Sequence, residues 1–368
     1  MQQSEEDCET SSGFHRESIY YYLYVVQGLP FAVANLLIIA TIAKHPIYRR
    51  RKEYWIVGAL VSADLIHEIG IVIGGLYRIS IIQRKQAADP VTSWYCMKLA
   101  QCLIWSLSFP LVYFMLVAVT LDRFLCVYKP IYYRMLTVKY SLIMIGIVYL
   151  GAVGISLVTV GLSYQSSLEP VLQKKEKICI FDQAFGNDYT FYATTWMQIV
   201  CSTLSTGLYA FVPFVYRCQV QNFGQMGAAA AVNQLKSQKR LCITLGISSV
   251  VTFLLMTGPA IARLVTYKKD NVEAFPWAGL IMNFNPIVNT FLFIFRHQGF
   301  RKGVVALLAC KRLSVEPQKK QRKTSTRRKV QLINTEVNED LNGSQVWLLI
   351  GAVFKIQLED VQIWELQL

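Results

Sequence analysis

Apolar residues fall in seven long runs separated by short polar stretches, at roughly 19–43, 54–77, 98–123, 138–162, 190–216, 240–266 and 274–295. Each is long enough to cross a hydrocarbon core of about 30 Å, which takes about 20 residues of helix. A segment inside such a core must satisfy its own backbone hydrogen bonds, so each run is read as an α-helix. The second run is the most interrupted, by Asp64, His67 and Glu68. The longest connection, 163–189, joins runs four and five, and no soluble domain is inserted. The pattern predicts an all-α membrane protein. A polar extracellular tail at 1–18 precedes a seven-helix transmembrane bundle at 19–295, whose runs are spans one to seven.

Beyond the seventh span, Phe300, Val304, Leu307 and Leu308 recur at helical spacing, while Arg301 and Lys302 face elsewhere. This predicts an amphipathic helix at 296–310 lying on membrane lipid. Cys310 at its end is either an acylation site or an ordinary cytosolic thiol. Residues 311–368 form a tail that is basic and then mixed. Its apolar stretch at 346–354 is too short to span.

Composition agrees with the pattern. Hydrophobic residues make up 54% of the 368 positions and charged residues 16%, against about 25% charged in a soluble domain. An ordinary soluble enzyme is excluded on that ground. The net charge of +14 has an address. Residues 296–330 hold twelve Lys or Arg against the single acid Glu316, and residues 44–52 hold five more. Basic clusters beside apolar spans mark the cytoplasmic side, not a nucleic-acid interface. The N-terminus is then outside and the C-terminus inside, in a multi-pass protein of the plasma membrane. The first eighteen residues show no apolar core of a cleavable signal peptide, so span one is expected to direct its own insertion. The nine cysteines show no CxxC and no metal-ligand spacing, and no cofactor is implied.

Several short motifs stand at fixed places in these spans. Asp122-Arg123-Phe124 closes span three, and Pro130-Ile131 follows, with Arg123 seven residues before the proline. Such a charged pair at a helix end is in many proteins merely solvated. Phe253 sits six residues before Pro259 in span six, where a proline removes a helix hydrogen bond and bends the helix. Span seven carries Asn285-Pro286, with Asn289 three residues further on. Asn35 in span one and Leu60-Val61-Ser62-Ala63-Asp64 in span two complete the set.

Taken in order, these resemble the signatures of rhodopsin-like (class A) G-protein-coupled receptors over about residues 19–310. The chain is divergent. Phe124 stands for the family's Tyr, Thr257 for its Trp before the span-six proline, and Asn289 for its Tyr in span seven. This texture resembles the nematode serpentine chemoreceptors, and divergent neuropeptide receptors share it. The resemblance implies a receptor, not an enzyme, which binds an extracellular ligand, a chemosensory small molecule or a peptide, and activates a heterotrimeric G protein. Its switch would comprise Asp122, Arg123 and Phe124, the Pro130-Ile131 docking turn, Phe253, Pro259, Asn285, Pro286 and Asn289. Many relatives restrain the arginine with a carboxylate twenty residues before the span-six proline; here that position is Lys239.

The resemblance also implies an outer disulfide between the top of span three and the second outer loop. Cys96 and Cys179 are the candidates, with Cys8 a third cysteine outside. Cys96 lies 27 residues before Arg123, about two more than usual, and Pro110 is expected to absorb the offset. The family's pocket would place Trp105, Phe109, Thr195, Gln198, Ile261, Leu264 and Phe275 around the ligand. Trp105 occupies the position of the aspartate that binds amines, so a biogenic amine is not expected. Span seven contains no Lys, which excludes a retinal Schiff base. Arg78, Arg84, Lys85, Lys174, Lys175, Lys177, Lys268 and Lys269 line the outer rim, which points to an anionic ligand.

Asn35, Asp64, His67 and Glu68 form an intramembrane polar core. Asp64, His67 and Glu68 share a helix face at i, i+3 and i+4. Ionisable groups at that depth are expensive and are functional candidates; a hydrogen-bonded structural cluster is the other reading. Val112 stands where the family's sodium site has a hydroxyl, so sodium is not expected. The rival for the whole chain is a transporter using Asp64, His67 and Glu68 as a proton or ion relay. No internal repeat supports it.

Overall fold

The computed structural model describes residues 2–168, 175–179, 188–225, 249–267, 279–286, 288 and 298–309. All lie in the first of two units, Met1–Leu313; the second is Ser314–Leu368. Among the described residues, five helices are long and apolar enough to cross a membrane.

Span one lies in α1 (Gln2–Lys44), so the stretch expected as a tail continues the first helix from Gln2. Pro46 ends it. The residue before a proline is pushed into extended conformation, and His45 takes φ −100°, ψ 114°. Pro46 then opens α2 (Pro46–Arg49) at its first turn, where a missing N–H costs nothing. Span two is α3 (Lys52–Gln83), six residues longer at its outer end than its apolar run. Span three is α5 (Ala100–Tyr128), and Lys129-Pro130 repeats the proline stop before α6 (Pro130–Met135). Spans four and five are α7 (Val138–Ser167) and α8 (Asp188–Gln225).

The outer end is organised by a small antiparallel sheet. β1 (Pro90–Val91) pairs with β2 (Lys175–Glu176), Pro90 facing Glu176 and Val91 facing Lys175. Between β1 and span three lies α4 (Ser93–Met97), capped by Thr92, whose hydroxyl accepts from the Tyr95 N–H at 3.2 Å. Cys96 sits on α4, not on span three, and is bonded to Cys179 with Cα atoms 5.3 Å apart. The extra residues before Arg123 are therefore taken up by the break at Leu99 (φ −69°, ψ 139°), which corrects the expectation that Pro110 absorbs them.

Span three is the central helix and packs on spans two, four and five. An inner core joins Ile38, Ile56, Leu60, Met115, Val119 and Val212; an outer one joins Tyr21, Ile71, Ile79, Trp105 and Ile178. Gly70 and Gly74 permit the close approach of spans two and three. A Cβ on Gly74 would stand 2.7 Å from Trp105 Cη2, and one on Gly70 2.8 Å from Ile104 Cγ2. Span four behaves oppositely. Ile143, Ile147, Leu150 and Leu157 are 64–74% exposed, a pattern that lipid tolerates and water does not.

The described part of span six has a five-residue π-helical stretch, Phe253–Thr257, followed by α9 (Gly258–Tyr267). The amphipathic helix is α10 (Gln298–Leu308). Gly303 lies against Thr41 and Tyr48, and Val304 joins the inner core. Leu308, expected on the apolar face, is exposed.

Candidate functional site

The inner end of span three buries a charge pair. Asp122 and Arg123 are almost wholly buried and ion-paired through Oδ2 and Nη2. Burying two charges is favourable only when their remaining hydrogen-bonding capacity is met. Tyr133 meets part of it: its hydroxyl donates to Asp122 Oδ2 at 3.1 Å and accepts from Arg123 Nη2 at 3.3 Å. Burial pushes the Tyr133 hydroxyl well above its usual pKa, so it keeps the proton it donates. Tyr133 reaches this place because α6 is one amphipathic turn and a half. Pro130 and Tyr133 face inward, while Ile131, Tyr132 and Met135 are at least half exposed. Lys52 fixes that helix from span two, donating to the carbonyls of Tyr133 and Leu136, with Nζ 3.6 Å from the centre of the Tyr133 ring.

Ile131 therefore projects beside the charge pair. An open cleft of about 470 Å³ lies there, lined by Tyr128, Lys129, Pro130, Ile131, Tyr132, Met135 and Gln219. Phe124 is half-buried and stacks on Tyr128, with centroids 5.7 Å apart. Lys239, Asn289 and Cys310 lie outside the described residues.

The middle of the bundle holds the polar core. Asn35, Asp64, His67 and Glu68 are all buried. His67 Nδ1 lies 3.1 Å from Ser108 Oγ, and the ring meets the edge of Phe109 at 4.9 Å. Among the described residues, neither Glu68 oxygen has a hydrogen-bond partner, nor does Asp64 Oδ1.

At the span-six pivot, Pro259 is buried and Phe253 half-buried. The π-helical stretch and the proline disturb the backbone ladder, and side chains of span five fill in. Gln198 donates to the Met256 carbonyl at 2.8 Å. Ser202 Oγ stands 2.6 Å from the Oγ1 of Thr257, the residue in the place of the family's Trp. Thr252 donates to Asn285 Oδ1 at 2.5 Å, tying span six to span seven beside the buried Pro286.

The outer end holds the residues expected around the pocket and rim. Trp105 is buried against Gly70 and Gly74 of span two. Phe109 stacks on Tyr113, at 6.3 Å, and packs against a small cluster with Met256 and Met282. Thr195 and Gln198 are buried, Leu264 is half-buried, Ile261 is exposed, and Phe275 lies outside the described residues. Among the described rim cations, Arg78 and Lys177 are bonded to the protein. Arg78 is 4% exposed, donates to the carbonyls of Ile178 and Cys179 at 3.2 and 3.0 Å, and lies 5.2 Å from the rings of Tyr21 and Trp105. Lys177 donates to Gln86 Oε1 at 2.9 Å and Asp89 Oδ2 at 3.2 Å. Arg84 and Lys85 remain exposed; Lys174, Lys268 and Lys269 lie outside the described residues, as does the Lys175 side chain. Two of the eight charges, those of Arg78 and Lys177, are thus engaged by the protein itself.

Sequence reasoning missed Tyr133, Lys52 and the hydroxyls facing span six. Only Tyr133 left a signal: it sits one turn after Pro130, on the buried side of a short amphipathic helix.

A buried carboxylate–guanidinium pair at the inner end of the third membrane helix, a proline pivot in the sixth and a disulfide tying the outer loops define a seven-span membrane receptor. Residues 34–292 match the family described as 7 transmembrane receptor (rhodopsin family), and the chain belongs to it. G-protein coupled receptor 3 of Mus musculus is 25% identical over 297 residues, covering 77% of this chain and 81% of that receptor. G-protein coupled receptor 3 of Rattus norvegicus is 29% identical over 136 residues, 37% of this chain and 38% of that one. Membership makes the chain a multi-pass signalling receptor of the plasma membrane that couples to heterotrimeric G proteins, not an enzyme. The transporter alternative gives way to it.

Proposed function

We propose that this receptor binds a small extracellular ligand between the outer halves of its spans and passes the signal through Arg123 and Ile131. The observation that carries the reading is the buried Asp122–Arg123–Tyr133 cluster, with Ile131 presented beside it at 56% exposure. Agonist favours the conformation that it binds better and shifts the population toward it. Span six turns about Pro259, Arg123 leaves Asp122, and the α6 helix with Ile131 docks on the G protein, which exchanges nucleotide. The eroded positions Phe124, Thr257 and Asn289 support a chemosensory ligand of the kind taken by nematode serpentine receptors.

The test is basal nucleotide exchange on a panel of G proteins at matched surface expression, comparing the native chain with Arg123→Ala and Ile131→Ala. Activity above vector that both variants lose supports the reading and identifies the coupled subtype. Activity unchanged by both variants rejects the assigned roles.

A further inference from the structure

A set of hydroxyls between spans three, five and six is used by none of the steps above. Thr120 Oγ1 lies 2.6 Å from Ser205 Oγ, and Ser205 Oγ lies 3.0 Å from Ser249 Oγ. Thr206 donates to the Ser249 carbonyl at 3.2 Å. Nearer the pivot, Ser202 meets Thr257 at 2.6 Å. Thr120, Ser202, Ser205, Ser249 and Thr257 are all at most 3% exposed. Each hydroxyl has a single proton, which orders the chain. Thr120 donates to the Leu116 carbonyl at 2.8 Å, so Ser205 donates to Thr120 and Ser249 donates to Ser205. Ser202 likewise donates to the Gln198 carbonyl, so Thr257 donates to Ser202. Serine and threonine within a membrane helix can satisfy themselves on their own backbone. Bonds that cross between helices therefore do something that solvation of the hydroxyl does not require.

We propose that this ladder, Ser249–Ser205–Thr120 with Thr257–Ser202 above it, is the restraint that holds span six against spans three and five and sets the basal activity of the receptor. It rests on the receptor reading and supplies the restraint that Lys239 does not. The geometry gives the two rungs unequal leverage. Ser249 lies ten residues before Pro259, about 15 Å along a helix at 1.5 Å per residue. Thr257 lies two residues before it. A rotation of about 4° at the pivot moves a point 15 Å away by about 1 Å, enough to end a hydrogen bond. The same rotation leaves the Thr257 rung intact. The lower rung opens first, and the upper one keeps the pivot seated while it does.

Two measurements test this. The first is basal nucleotide exchange at matched surface expression in Ser205→Ala, Ser249→Ala, the double variant and Ser202→Ala. A buried interhelical hydroxyl pair in a membrane is worth about a threefold population shift. Ser205→Ala and Ser249→Ala should each raise basal activity by about that factor, and Ser202→Ala by less. The double variant should rise no further than the larger single one, since both remove the same bond. Ser205→Thr keeps the hydroxyl and should stay near the native level. Thr159→Ala, which deletes a back-bonded hydroxyl of span four, should change nothing. The second measurement is hydrogen exchange of the purified native chain and variants in micelles, over 249–257. Exchange there should quicken in Ser205→Ala and Ser249→Ala, whether or not any G protein responds. If neither the native chain nor Arg123→Ala differs from vector, the receptor reading fails while hydrogen exchange still reads the ladder. Unchanged exchange in both serine variants overturns the proposal, as does basal activity that stays level or falls in them when the native chain signals above vector.

Discussion

Lys52, at the inner end of span two, holds Tyr133 by its backbone and its ring, while the Tyr133 hydroxyl holds Asp122. Residues 81 positions apart thus couple span two to the charge pair of span three through a six-residue helix. Replacing Lys52 with Met removes the donor for two carbonyls and frees α6 from below. Lys52→Arg keeps a cation and donors. We expect Lys52→Met to lower basal G-protein activation severalfold and Lys52→Arg to retain most of it, measured at equal surface expression.

Tyr133→Phe removes one buried donor and leaves Asp122 with less of its charge satisfied, a cost of about 1–3 kcal/mol. The expected outcome is a thermal midpoint lower by several degrees in detergent and reduced G-protein activation. Combined with Lys52→Met, the losses should be less than additive, because both variants release the same helix. Full additivity would show that the two contacts act separately.

Arg78→Met removes two hydrogen bonds to the second outer loop and a cation from between two rings. Hydrogen bonds from a charged donor are worth about 1.5–3 kcal/mol, so a marked loss of thermal stability is expected. Arg78→Lys should recover only part of it, since an ammonium does not reproduce the guanidinium fork. Arg84→Met, at an exposed position, should leave stability unchanged. Equal effects of the Arg78 and Arg84 variants would contradict the structural role of Arg78.

Cys96→Ser or Cys179→Ser opens the disulfide that joins α4 to the second outer loop, at a cost of about 2–5 kcal/mol. Surface expression should fall steeply in either variant and no further in the double one. Cys8→Ser should be silent, because Cys96 and Cys179 are bonded to each other.

Gly74→Val should drive spans two and three apart, since its Cβ meets Trp105 at 2.7 Å, and overpacking of this kind costs about 1–3 kcal/mol. Trp105→Leu in the same chain makes room. Recovery of thermal stability and surface expression in the double variant, measured against Gly74→Val alone, would confirm the contact.

The amino-acid sequence by itself determined the membrane-spanning architecture. Lipid offers the backbone no hydrogen-bonding partner, so each span must be a helix about 20 residues long with an apolar exterior, and both conditions are local. The Asp122-Arg123 pair, Pro259 and Asn285-Pro286 were legible for a related reason: charges and prolines stand out in an apolar helix. Only the tertiary structure decided which way the remaining polar groups face. Arg78 reads as one rim cation among eight until Ile178 and Cys179, about a hundred positions away, supply its acceptors. Trp105 could face a pocket or a neighbouring helix until Gly70 and Gly74 show which surface can receive it. Tyr133 and Lys52 meet only because α6 turns back beneath span two. Ser205 and Ser249 carry no periodic signal, since one hydroxyl in an apolar helix is ordinarily content with its own backbone. Their pairing depends on the rotation of two helices about their axes, which packing alone fixes.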